Sequence, residues 1–358
     1  MMKLSLPIWT IAAPIIAWLA YFGISLELGD YYKFFLGAVL IASVLAAVHH
    51  AEVVAHKVGE PFGTLILALA ITFIEVALIV SIMLSGGPEI LTLARDTVFA
   101  AVMIIITGMT GICILTGALK FKEQTFKLQG VSAILITLTA ILVLTLILPN
   151  YTTGEPGPAF TPVQLGFVAI ISLILYGTFV LVQTVRHRDY FLPKEVQDEE
   201  THADPPTLKT ALFSLLLLIL CLGIVVLLAK SLAYDIEVAV ISAGAPKSLV
   251  GVIIAAVVLL PEGLAAYKAA RNNRLQTSLN LALGSALASI GLTIPAVAVV
   301  SMMTGLTITL GIDSKSAVLL FLSLFTVTIS LANGKTNIQQ GVVLLVIFAA
   351  YLFTMVMP

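Results

Sequence analysis

Charge is scarce in this sequence: Asp, Glu, Lys and Arg make up 10% of 358 residues, while 60% are hydrophobic. A water-soluble fold would have too little polar surface to cover so much apolar volume, which leaves the bilayer as the solvent that fits. Cysteine is nearly absent. Cys113 and Cys221 stand alone inside apolar stretches, which excludes a disulfide framework and a thiolate metal cluster. Basic excess is lacking too, with 18 Lys and Arg against 19 Asp and Glu, so no broad cationic face is available for nucleic acid.

What is present is hydrocarbon-length runs almost end to end. A bilayer core takes about 20 apolar residues per helix, and about eleven such helices fit. Spans are expected near 8–26, 34–56, 63–84, 96–118, 128–149, 163–186, 209–233, 248–269, 277–303, 314–332 and 340–357. The first run follows Lys3 without a small-residue cleavage site and is read as a helix rather than a removed signal. Between His187 and Thr207 the chain turns polar, with Asp189, Glu195, Asp198, Glu199, Glu200 and Asp204 before Pro205 and Pro206, and reads as a solvated acidic linker.

The fold class expected is an all-α membrane protein made of an N-terminal helix and two five-helix repeats of inverted topology. The organisation is 1–30 for the first helix, 31–186 for one repeat, 187–208 for the linker and 209–358 for the other repeat. An odd number of spans per repeat is what inverts them. Basic residues set the orientation. Lys3, Lys57, Lys120, Lys122, Lys127, Arg186, Arg188, Lys194, Lys209, Lys268, Arg271, Arg274 and Lys335, 13 in all, share the linker's side, whereas the five others, Lys33, Arg95, Lys230, Lys247 and Lys315, fall on the other. The N-terminus and linker are therefore expected in the cytoplasm and the C-terminus outside.

Each repeat carries a carboxylate near mid-membrane, Glu75 in the third span and Glu262 in the eighth. An ionised carboxylate there costs about 3 kcal/mol on insertion scales, so two at matching places suggest one shared cation site rather than coincidence. Pro261 and Gly263 flank Glu262, and the proline leaves the Val257 carbonyl without its helical donor, a possible backbone ligand. Thr72, one turn before Glu75, and Ser285 and Ser289 on one helical face add hydroxyls, as ligands or as packing elements. A desolvated carboxylate holds a proton that a bound cation displaces, so exchange follows from competition for the same groups. Two glutamates cycling together would trade one divalent ion for two protons, and one alone a monovalent ion for one.

The second span ends in AVHHAEVVAHKVGEPFG, where His49, Glu52 and His56 share a face that would suit proton handling or simple solvation. A metalloprotease helix needs histidines four apart around the glutamate, and His50 and His56 are six apart. No nucleophile or metal cluster marks an intramembrane enzyme. The expected partners are therefore small cations, protons and lipid, with no cofactor. A cation channel with a glutamate-lined constriction is the alternative.

HHAEVVAHKVGEPFG, the TFIE ending at Glu75, LLPEG at Glu262, NLALGSALASIGLTIP and NGKTN at Asn333 to Asn337 together resemble the bacterial ChaA-type cation/proton antiporters of the calcium/cation antiporter superfamily. The resemblance runs from the second span to the C-terminus. It implies eleven helices in two inverted repeats, paired glutamates at a central site, and exchange of Ca²⁺, Na⁺ or K⁺ for H⁺ across a bacterial inner membrane. The wider superfamily places Asn three residues before each glutamate, where this chain has Thr72 and Leu259. With fewer oxygen ligands than Ca²⁺ prefers, the site implied is a loose one.

Overall fold

The computed structural model describes residues 6–26, 29–59, 62–83, 90–192, 206–244, 246 and 248–357. Most of the acidic linker, from residue 193 to 205, lies outside them, as do Lys3, Lys194 and Lys247. With no water in hydrocarbon to bond backbone N–H and C=O, an apolar chain of this length can satisfy them only by helix. The chain accordingly reads α1 Ile8–Phe22, α2 Asp30–Val58, α3 Phe62–Met83, α4 Ile90–Met103, α5 Thr110–Phe121, α6 Leu128–Leu142, α7 Pro162–Leu181, α8 Leu208–Ser242, α9 Ser248–Arg271, α10 Leu275–Thr304, α11 Ser314–Leu331 and α12 Ile338–Val356. The one sheet among the described residues pairs β1, Gln124–Thr125, with β2, Lys335–Thr336.

Among the described residues, eight helices are long and apolar enough to cross a membrane, and nine when the bent α9 counts as one span. Ile8–Phe22 and Thr72–Ser81 are shorter apolar helices. At 1.5 Å per residue α1 reaches only about 22 Å, short of the bilayer core, before a 3₁₀ turn at Gly23–Leu26 ends it. The seventh expected span is longer than its apolar run. α8 has 35 residues and carries Lys230, Asp235 and Glu237 inside its last turns rather than at its end.

Contacts divide the chain into two compact units that interleave in sequence, Met1–Ser81 with Gln197–Val250, and Ile82–Val196 with Gly251–Pro358. In the first, α2 and α8 pack along each other through small and aliphatic residues, with Ala46, Ala51, Cys221, Ile224 and Leu228 at 0% exposure. Lys33 pairs with Asp235 at 2.9 Å, which places the amino end of α2 beside the carboxyl end of α8. α1 lies on both. Tyr32 donates to the Ala20 carbonyl at 2.5 Å, and Trp18 Nε1 donates to the Leu220 carbonyl at 3.2 Å.

In the second unit α10 is the central rod, with α4, α5, α6 and α7 against it. Close approach is set by glycines that the hydropathy pattern does not distinguish. A Cβ on Gly291 of α10 would lie 3.0 Å from Tyr176 of α7, and one on Gly341 of α12 would lie 2.7 Å from the Leu115 backbone of α5. Gly284, whose small size suggested close packing beside the serines, has no described atom within 4 Å of the Cβ position. Gly291→Leu should therefore cost about 1–3 kcal/mol through overpacking, read as a lower thermal midpoint in detergent. Gly284→Ala should hold or raise that midpoint, since alanine suits a helix better by up to about 1 kcal/mol.

Candidate functional site

On α3, Thr72 and Glu75 are 2% and 5% exposed, while Phe73 between them is 57% exposed. A three-residue separation puts hydroxyl and carboxylate one turn apart on one face. That face is turned into protein, and the opposite one, with Phe73 and Leu69, is turned out. A glutamate is too short to reach a headgroup from this depth, so burial on the protein side is the arrangement hydrocarbon permits.

Glu262 belongs to the second unit, and its surroundings follow from Pro261. The two arms of α9, Leu249–Leu260 and Glu262–Arg271, meet at 55°. A proline interrupts the hydrogen-bond ladder and forces such a bend, leaving the Val257 carbonyl without an N–H four residues on. The expected break is thus a kink, with helix on both sides. Glu262 follows directly at 3% exposure, and Ser285 Oγ of α10 donates a hydrogen bond to its Oε2. Ser289, one turn further along α10, is 2% exposed.

Of the residues expected to share a site, Glu262 and Ser285 meet between α9 and α10, and Ser289 is buried one turn along α10 from Ser285. Thr72 and Glu75 form their own group on α3 in the other unit. The face holding His49, Glu52 and His56 is on α2, with Glu52 and His56 exposed. No group of three or more His, Cys, Asp or Glu converges as a resident metal site among the described residues.

Two features escaped the sequence reading. The hydroxyl row on α10 continues one turn past Ser289 to Thr293, whose Oγ1 is buried without a hydrogen-bond partner among the described residues. The four-residue spacing from Ser289 was the available signal. The other is a π-helical turn, Ile104–Met109, between α4 and α5. Thr107 and Thr110, both 0% exposed, turn their hydroxyls back to the Met103 and Ile105 carbonyls at 2.5 and 2.8 Å. Nothing in hydropathy marks a π turn. The turn's Met109 packs against Gly263, the residue after Glu262, where a Cβ would lie 3.3 Å from the methionine methyl. Beside it is a mainly apolar hollow of about 360 Å³ walled by Ile104, Met109, Leu259 and Phe348.

The sodium/calcium exchanger protein family matches residues 31–185 and 213–357, which leaves out α1 and the linker. A Sinorhizobium fredii protein named for ionic transport, y4hA, is 47% identical over 89% of this chain and 87% of its own. The sodium-potassium/proton antiporter ChaA of Escherichia coli is 36% identical over 88% of this chain and 86% of its own. Among solved structures, the H⁺/Ca²⁺ exchanger CAX superposes with a TM-score of 0.74 at 16% identity, covering 96% of this chain and 87% of that one. YfkE does so at 0.70 and 16%, covering 98% and 99%. Both show the same helical fold.

Ser285→Ala removes the hydroxyl held on Glu262. Loss of one such bond should weaken apparent cation affinity about tenfold while changing maximal turnover less, as read from flux against cation concentration. An unchanged affinity would assign Ser285 to packing.

Proposed function

The chain belongs to the sodium/calcium exchanger family, and from that premise we propose that it is a secondary antiporter moving cytoplasmic Na⁺, K⁺ or Ca²⁺ outward against inward H⁺, with Glu75 and Glu262 as the titrating pair. The observation that carries this reading is the near-complete burial of both carboxylates, at 5% and 3% exposure, on helices otherwise built for hydrocarbon. Such groups persist in a membrane when their charge is used.

The chemistry is competition. With no cation bound, burial favours the protonated carboxyl; a cation entering from the cytoplasm displaces the proton and gains the carboxylate oxygen in its place. Thr72, Ser285 and Ser289 contribute hydroxyl oxygens, and the Val257 carbonyl, left free by Pro261, is suited to the same hard ion. Proton and cation cannot hold one carboxylate together, so each crossing carries one or the other. That exclusion couples the two gradients without any further residue.

The cation remains a matter of ligand count. Neither glutamate has an amide three residues before it, and a sparse oxygen shell favours Na⁺ or K⁺, or Ca²⁺ held loosely. The Escherichia coli relative is named for sodium, potassium and proton antiport, and one from Aphanothece halophytica, 25% identical, for Ca²⁺/H⁺ antiport. The bias of lysine and arginine supports a cytoplasmic N-terminus in a bacterial inner membrane. Residues 31–186 and 209–358 are the proposed inverted repeats, joined by the linker 187–208, with residues 1–30 as an added helix.

Acid-loaded everted vesicles test the reading directly. Adding Na⁺, K⁺ or Ca²⁺ should release protons from vesicles holding the wild type, and Glu75→Gln and Glu262→Gln should each lower that rate by at least about a hundredfold while inserting normally. Full exchange in either variant would refute the shared pair. Tracer cation leaking down its own gradient without proton movement would instead identify a channel.

A further inference from the structure

α1 lies outside the matched family segments, yet it is fastened to α2 by a contact that hydrocarbon makes expensive to lose. Pro14 sits inside α1 and has no N–H, so the carbonyl of Thr10, four residues earlier, is left without its helical donor. His50 of α2 supplies one, its Nε2 lying 3.1 Å from the Thr10 carbonyl oxygen. A carbonyl can only accept, so Nε2 carries the hydrogen and the neutral ring holds its lone pair on Nδ1. That Nδ1 is buried, with no hydrogen-bond partner among the described residues, and His50 is 0% exposed. A second proton would have to enter at Nδ1, charging a buried ring that no acceptor among the described residues meets there.

Among the described residues, no Asp or Glu is bonded to the His50 ring. α1 bears no Asp, Glu, Lys, Arg or His, with Tyr21 its one titratable side chain. Along α8, only Cys221 is titratable between Lys209 and Lys230. Tyr234, Asp235 and Glu237 lie in the last turns, at the end where Asp235 meets Lys33. The charged residue of α3 is Glu75, and on α2 near His50 stand His49, Glu52, His56 and Lys57. Of these, His49 is the charge that acts on His50, and it is of the same sign when protonated. The two rings are 5.7 Å apart, and Trp9 of α1 lies 6.2 Å from His49.

We propose that His50 is a proton-binding site separate from the glutamate pair, at which protonation releases the Thr10 carbonyl and loosens α1 from α2. The docked arrangement requires the neutral ring, so docking is complete at high pH and is lost as pH falls through the histidine range. Because α2 packs along α8 in the same unit, α1 reports pH to that helix pair whichever ion the protein carries.

The chain has two tryptophans, Trp9 and Trp18, so a Trp18→Phe background leaves Trp9 as the sole indole reporter beside the histidines. In detergent or nanodiscs, Trp9 emission in that background should follow a one-proton transition as the pH is lowered from about 8. His50→Gln, which keeps an N–H for Thr10 but cannot titrate, should abolish it, while His49→Gln should retain it. Should His50→Gln fail to insert, Pro14→Ala returns an N–H to the Thr10 carbonyl and should shrink the transition with His50 intact. The proposal is overturned if no transition occurs in the Trp18→Phe protein, if the transition survives in His50→Gln, or if Pro14→Ala leaves it unchanged.

Discussion

Hydrocarbon supplies no hydrogen bonds, and this protein is arranged around that shortage. Many of its hydroxyls fold back onto carbonyls of their own helices. Thr145 returns to Ile141, Ser172 to Val168 and Thr184 to Val180, each at 2.7 to 2.8 Å. Polar chemistry is confined to places where the ladder is cut or a carboxylate is buried. Prolines cut the helical ladder at residue 14 in α1, residue 261 in α9 and residue 295 in α10, and each leaves one carbonyl four residues earlier without its helical donor. At the first cut a histidine supplies it. At the second the freed carbonyl, that of Val257, precedes Glu262 by five residues.

The interleaved units bear on how exchange is organised. α2 and α8 come from opposite sides of the linker yet form one packed pair, and α10, which follows the linker, packs against α4 to α7, which precede it. A division of the chain into halves therefore describes its proposed duplication, whereas packing describes what is held together. Glu75 and Glu262 accordingly fall in different units even though their sequence settings match.

Much of the architecture was legible from hydropathy, because in lipid the length of an apolar run and the obligation to form helix are the same constraint. Burial of Glu75 and Glu262 was legible for a related reason: a short carboxylate cannot escape mid-membrane. The kink at Pro261 followed from covalent structure. Other features depended on which surfaces meet. The π turn at Ile104–Met109, the contact of Gly291 with Tyr176, the open side of Gly284 and the extension of α8 past its apolar run leave no periodic trace. The acceptor left by Pro14 could be read from the sequence, but that His50 and not His49 fills it was decided by tertiary packing, since adjacent residues on a helix point about 100° apart and only the partner helix selects between them.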